Sequence, residues 1–389
     1  MIELDKIQKA IREENLDGWL FCNFRHRDAL SDAILDRPSG LTNSRLWLYA
    51  VPSAGEPFGL THAIEADHLD GLPGTKRSYI SRDDLKTLLK ALAGKRWGAH
   101  FSENLSAVSF LDAGTAAFLE KAGLVLVPAE ALVQRFKGLL DSGGIASHER
   151  AAAGLYQIVE KVWDFVQSSY ARKKELYEGD LRRVMEEEFV RLGLVRDHPP
   201  MAAAGVHSAN PHYDFAGQGA PVKEGDIIQL DLWAKEKEPR SIYADISWVG
   251  VYAEKVPEEV QKIFADLVSA RDKTFAFIEK ELSSGRMLSG AEVDAYTRSL
   301  LIAGGYEKAI KHRTGHGIDT ECHGSGVNMD SVEFPDSRFL LEGSCFSLEP
   351  GIYLDRYGFR TELDVYIADG KPRYYGRLQT SLLTAGKRL

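Results

Sequence analysis

What this chain has little of narrows the reading first. Its 389 residues include three cysteines, Cys22, Cys322 and Cys345, and none sits in a C-x-x-C pair. An odd, scattered count argues against a disulfide framework and against a thiolate zinc site, and it fits a reducing compartment. No window approaches the roughly 18 apolar residues that a membrane span needs. The opening residues, Met1-Ile2-Glu3-Leu4-Asp5-Lys6, hold no apolar stretch of signal-peptide type, so a cytoplasmic location is expected. There is no Lys/Arg cluster, and the formal net charge is −9. Nucleic acid is therefore disfavoured as a partner, because phosphate binding calls for a basic face. The first 140 or so residues also lack a phosphate-binding glycine pattern and any obvious catalytic cluster.

What is present reads as a soluble globular protein: 44% hydrophobic and 27% charged residues. The length makes two domains the natural expectation. In the first, Gly18–Cys22 and Leu46–Val51 read as buried strands, and Asp84–Leu92 and Thr115–Ala122 as helices. That alternation predicts an α/β domain over residues 1–143. Asp141-Ser142-Gly143-Gly144 has the composition of a linker. Beyond it, residues 144–389 predict an α+β domain. Helices are expected over Ser147–Ser169, Gly179–Leu192, Pro257–Leu282 and Gly290–Ala303, the last opened by a Ser289/Glu292 capping box. Helix-helix-strands occurs twice, which hints at two similar halves.

Four stretches carry chemistry. In Ile227–Trp233, Asp231 points away from the face of Ile228, Leu230 and Leu232. In Ile242–Trp248, Asp245 lies opposite Ile246, and the polar run Lys235–Arg240 reads as the turn between the two strands. Taken alone, the two aspartates fit the solvated side of a hairpin. The third stretch places His312, His316 and His323 in a glycine-interleaved loop, which suits metal binding or acid–base work as readily as a polar turn. In the fourth, Glu349 ends the apolar run Cys345–Leu348, where a carboxylate needs a partner, and Glu362 alternates with Leu363 on the side of Arg360 and Asp364. For Arg360 and Glu362 the plain alternative is a salt bridge. Asp231, Asp245, Glu349 and Glu362 brought together would repel strongly. Two divalent ions would cancel the four charges, with His316 completing a carboxylate-rich set that suits manganese, cobalt, iron or zinc. Two such ions can share a hydroxide and polarise a carbonyl.

The order Asp, Asp, His, Glu, Glu resembles the metallopeptidases that include methionine aminopeptidases, Xaa-Pro aminopeptidases and prolidases, with creatinase as a metal-free relative. The resemblance runs from about Ala151 to Gly386. It is strongest at Thr314-Gly315-His316-Gly317, at Leu348-Glu349-Pro350-Gly351-Ile352-Tyr353 and at Arg360-Thr361-Glu362. It implies a pita-bread catalytic domain, here after a creatinase-type N-terminal domain, and a homodimer. By position it implies that Asp231 binds one metal, that Asp245 and Glu362 bridge, and that His316 and Glu349 bind the second, with manganese favoured. His212, His312, His323 and Arg360 fall at substrate-facing positions, and His212, His323 and Glu349 at catalytic ones. The implied activity is removal of N-terminal residues, at Xaa-Pro bonds, from a peptide. Another small amide substrate, or an inactive binding module on the same fold, are the other readings. Departures bear on the substrate. Asp231 is followed by Leu232-Trp233 rather than x-Gly, the two aspartates are separated by a longer turn, and Glu362 is followed by Leu363. Gly324-Ser325-Gly326-Val327 lacks the arginine with which prolidases hold a dipeptide carboxylate.

Overall fold

The computed structural model describes residues 2–38 and 40–386. Met1, Ser39 and residues 387–389, which include the outer ends of the two expected domains, lie outside the described residues. The chain forms two compact units, Met1–Lys137 and Gly138–Leu389.

The first unit contains α1 (Leu4–Glu13), β1 (Gly18–Asn23), α2 (Ala29–Ile34), β2 (Trp47–Pro52), β3 (Phe58–His62), β4 (Thr75–Tyr79), α3 (Arg82–Leu89), β5 (Arg96–Ala99), α4 (Ala113–Lys121), β6 (Val125–Pro128) and α5 (Glu130–Lys137). The strands form one mixed sheet in the order β4-β3-β2-β1-β5-β6. β1 is apolar along its length because both of its faces are covered. Trp19 and Phe21 join one apolar cluster with residues of α1, α2 and α5. Leu20 and Cys22 join a second with residues of α3 and of the α4 region.

The second unit continues with α6 (Ser142–Ala171), α7 (Glu178–Leu192), β7 (Leu194–Val195), β8 (Met201–Ala204), β9 (Ile227–Glu236), β10 (Ala244–Val251), α8 (Glu258–Ser283) and α9 (Gly290–Ala303). It closes with β11 (Cys345–Leu348), β12 (Gly351–Tyr353), β13 (Gly358–Arg360), β14 (Leu363–Ala368), β15 (Lys371–Arg373) and β16 (Leu383–Thr384). Asp141–Gly144 is not a linker. The Asp141 carboxylate accepts the Gly144 N–H at 2.8 Å and caps α6, so the Ser-Gly-Gly run is a first helical turn whose free N–H groups are met by a side chain. α6 then buries Ala151, Leu155, Ile158, Val159, Val162, Trp163 and Val166 completely, against α7 and one face of β9 and β10. Gly250 is required there: a Cβ on it would lie 2.1 Å from the Trp163 ring. The pattern repeats in the second half, where residues of α8 and α9 cover Phe346 and Leu348 of β11 and Leu363 and Val365 of β14. The Ser289/Glu292 capping box opens α9 as expected.

The β9–β10 turn is displaced from its expected place. β9 runs on to Glu236 because Lys235 and Glu236 pair with Val195 and Leu194 of β7, and β10 begins only at Ala244. The register places Asp231 opposite Ser247 and Asp245 opposite Trp233. Asp231, Trp233, Asp245 and Ser247 therefore share one face, while Leu230, Leu232, Ile246 and Trp248 pack on the other.

Candidate metal centre

The face that carries Asp231 and Asp245 is not solvated. Asp245 is 5% exposed and Glu362 also 5%. The antiparallel register of β11 and β14, Leu348 opposite Leu363, sets Glu349 and Glu362 side by side where the two strands meet. Ser247 ties the strand systems together: its hydroxyl lies 3.0 Å from Asp231 Oδ1 and 2.8 Å from Glu362 Oε2. One oxygen from each of Asp231, Asp245 and Glu362 falls within 4.8 Å of the others, and so do ligand atoms of His316, Glu349 and Glu362.

His316 enters from the loop after α9. Two hydrogen bonds with β11 hold it: its N–H donates to Ser347 Oγ at 3.0 Å, and the Ser347 N–H donates to its carbonyl at 2.9 Å. The flanking glycines serve this packing. A Cβ on Gly315 would sit 1.9 Å from the Ser347 carbonyl oxygen, and one on Gly317 would sit 2.6 Å from Gly326. The ring contacts the Gly317 carbonyl through Nδ1 at 3.3 Å. With a proton on Nδ1, the Nε2 lone pair faces Glu349 Oε1 at 3.4 Å and Asp245 Oδ2 at 3.7 Å. Asp294 steadies the start of the loop, accepting from the Thr314 N–H and hydroxyl at 2.9 and 2.6 Å.

Charge follows this crowding. Burial, then Asp231 and Asp364, push the Asp245 carboxyl well above its usual range. Burial, then Asp245 and Glu349, do the same to Glu362. Burial pushes Glu349 up to about 7 against the pull of Arg360. Burial and the neighbouring His323 and Arg313 hold His316 well below its usual value, in the neutral form a metal requires. Buried Asp245 Oδ1 and Glu362 Oε1 have no hydrogen-bond partner. A buried carboxylate oxygen left without a donor is costly, and a cation is the partner that would satisfy both. The donor set therefore fits divalent ions.

The remaining expected residues fall in different places. His323 is exposed, its ring 4.2 Å from that of His316 and edge-on to it. Desolvation and Arg313 lower its pKa. His312 binds Tyr353 OH at 2.8 Å, and burial and Arg360 bring it down to about 3. His212 is exposed in the loop after β8, close enough for its charge to act on both His312 and His323. Arg360 is the other residue expected among the substrate-facing groups. It is 3% exposed and turns inward, ion-paired with Asp231, with Nε 2.9 Å from Ser247 Oγ and Nη1 3.1 Å from the Pro211 carbonyl. Among the described residues it forms ion pairs with Asp231 and, at 3.8 Å, with Glu349, rather than with Glu362.

Two neighbours of the cluster were not among the expected site residues. Asp364 is buried and accepts the Asp245 backbone N–H at 2.7 Å, with His148 Nε2 3.7 Å away. Cys322 lies with its sulfur 3.0 Å from Asp245 Oδ2. Alternation along Arg360, Glu362 and Asp364 was the available signal for Asp364; Cys322 had none.

Comparison with known proteins bears on the family and the fold. Over 336 residues, 84% of this chain and 82% of the relative, the sequence is 23% identical to a probable dipeptidase PepE of Mycobacterium tuberculosis. It is 29% identical over 157 residues, 40% of each chain, to an Xaa-Pro dipeptidase of Pyrococcus horikoshii. The fold is similar to that of dipeptidase PepE from Mycobacterium ulcerans, with a TM-score of 0.75 at 19% identity, covering 98% of this chain and 96% of that one. That likeness bears out the expected α/β unit followed by a pita-bread α+β unit. The model of metallopeptidase family M24 matches residues 146–369, more than half of the sequence and a span that includes Asp231, Asp245, His316, Glu349 and Glu362, and the chain belongs to that family.

Proposed function

We propose that the chain is a two-metal peptidase that cleaves the N-terminal Xaa-Pro bond of a peptide. The supporting observation is the convergence of Asp231, Asp245, His316, Glu349 and Glu362, with Asp245 Oδ1 and Glu362 Oε1 buried and unpartnered. In this reading Asp231 would hold one ion, His316 and Glu349 the other, and Asp245 and Glu362 would serve both. Two such ions, manganese being the favoured metal and cobalt, zinc or iron the others, would supply an activated water and a polarised carbonyl. Glu349 takes the proton that the water gives up. Exposed His323 meets the scissile carbonyl or returns a proton to the leaving amine, and His212 and His312 line the pocket. Arg360 fixes Asp231 and does not meet the substrate.

Chelation should abolish hydrolysis, and manganese or cobalt should restore it. Full activity in metal-stripped protein would defeat the mechanism. A panel of Xaa-Pro, Xaa-Pro-Xaa and Xaa-Ala peptides tests the substrate. Arg338, near the arginine-free Gly324–Val327 run, is locked on Asp336 and donates to the carbonyls of Ser325 and Gly326. Lacking that clamp, the enzyme should not strongly prefer dipeptides to longer Xaa-Pro peptides. A large preference in kcat/KM would point to Arg313, whose charge acts on His316, His323 and Glu349. The relative named a probable dipeptidase favours a second reading, small amides without proline, which Xaa-Ala turnover at equal rate would establish. We further propose a homodimer at work in the cytoplasm, the three cysteines being free. Sedimentation as a monomer at micromolar concentration would remove the dimer.

A further inference from the structure

Cys322 is held against the metal-binding cluster more closely than a filler side chain needs to be. It is 5% exposed, and the residues around it divide in two. On one side are the apolar side chains Ile242, Ile318 and Cys345. On the other is Asp245, whose Oδ2 lies 3.0 Å from the sulfur. The same Oδ2 faces His316 Nε2 at 3.7 Å. One ligand atom from each of Asp245, His316 and Cys322 lies within 4.8 Å of the other two. The second oxygen of Asp245, Oδ1, is buried with no hydrogen-bond partner. An oxygen of a carboxylate, a ring nitrogen and a sulfur thus converge beside an unsatisfied acceptor.

We propose that Cys322 is a sulfur ligand to the ion shared by Asp245 and His316, which gives this centre a preference for softer divalent ions. The inference rests on the two-metal reading above and adds a ligand to it. On binding, the sulfur–metal bond forms as the S–H bond breaks, and the proton leaves to water. A coordinating thiol is deprotonated outright. Soft thiolate ligands favour zinc, cobalt or iron over manganese, which prefers oxygen. The ion at the Asp245–His316–Cys322 end would then be zinc, cobalt or iron.

The test uses the full-length chain stripped of metal and titrated anaerobically with cobalt(II) alone. The wild type, Cys322→Val, Cys322→Ala and a Cys22→Ala/Cys345→Ala double variant are compared, with bound cobalt measured by elemental analysis and near-ultraviolet absorbance followed for thiolate-to-cobalt charge transfer. The proposal expects that band in the wild type and the double variant and its loss in both Cys322 variants, although these still bind cobalt. It also expects the zinc-over-manganese preference to fall by about tenfold or more in Cys322→Val, since even outer partners of a ligand are worth 10–100-fold in affinity. Cobalt bound by the wild type without the band, or a band that survives in the Cys322 variants, overturns the sulfur ligand and leaves the carboxylate–histidine centre standing. A wild type that binds no cobalt overturns both.

Discussion

Each of the two units buries a polar cluster, and the two are built on opposite terms. In the N-terminal unit, His100 and Asp28 are both almost fully buried, yet every bond is made. His100 Nδ1 lies 2.7 Å from Asp28 Oδ2, its Nε2 accepts from Trp19 Nε1 at 3.1 Å, and the Ser31 N–H donates to Asp28 Oδ1 at 3.0 Å. Burial works against the Asp28 charge, but His100 and Ser31 overcome it and hold the carboxyl below its usual range. In the C-terminal unit, burial works the same way on Asp245 and Glu362, but their nearest charged neighbours are other carboxylates, and both are driven far upward. Burial alone therefore does not mark a functional site. A Ser-His-Asp set with all its bonds satisfied is a structural network, whereas carboxylates with unpaired oxygens mark a place that expects a cation.

The comparison breaks most visibly if a cluster ligand can be removed without consequence. Glu349→Ala or Glu362→Ala should lower kcat/KM more than about 100-fold, beyond the loss typical of outer partners, as completely as chelation does. Near wild-type turnover in either variant would make the C-terminal cluster as structural as the N-terminal one.

The two loop histidines sharpen it next. His316→Ala should lose metal and activity together. His323→Ala should keep near-normal metal content and lose mainly kcat, by roughly 10²–10⁴ for a group that moves a proton or stabilises a carbonyl. Metal analysis and steady-state kinetics on both variants decide this. Loss of metal from His323→Ala, or full retention in His316→Ala, would reverse the assignment.

The N-terminal cluster should answer only in stability. Asp28→Ala strands buried His100 and should cost about 3 kcal/mol in denaturant unfolding while leaving bound metal per folded chain unchanged. A drop in metal content would join the two clusters functionally.

The smallest effect is on pH, and its sign differs between the units. In metal-stripped protein, Glu349 titrates higher when folded than when unfolded. The folded state therefore holds more protons, and the Glu349 contribution falls as pH climbs from its ordinary 4.5 to about 7. Asp28 titrates lower when folded, so its contribution is present above its ordinary 3.8 and fades as pH falls below it. Unfolding of the metal-stripped chain across this range, for wild type and Glu349→Gln, reads the first trend. A trend unchanged by Glu349→Gln would show that another group is responsible.

How much of this was legible in the sequence depends on whether a contact is local. Glu349 and Glu362 stand in tandem motifs, and the strand period alone put Asp231 and Asp245 on one face. The position of the helix pairs follows from apolar spacing and from caps such as Ser289. What escaped depends on contacts between distant segments. Asp141–Gly144 has linker composition, and only the bond from Asp141 to the Gly144 N–H makes it a helix start. β9 outruns the polar run because β7, some forty residues earlier, pairs with its end. Arg360 reads as a partner of Glu362 or as a substrate-facing group until the fold sets it on Asp231, and Gly315 is required by the close carbonyl of Ser347. Cys322, one residue before a motif histidine, carries no pattern of its own, and its meaning comes from Asp245, on a strand 77 residues away.

The central claim is that the carboxylate cluster exists to hold ions. Equilibrium dialysis of metal-stripped chain against manganese(II), zinc(II) and cobalt(II) in turn, with bound metal counted per chain in wild type and Glu362→Ala, tests it most directly. The account predicts two ions per wild-type chain and a clear loss in the variant, because Glu362 belongs to two of the three ligand groups. A wild-type chain that retains no manganese, zinc or cobalt at all would contradict it.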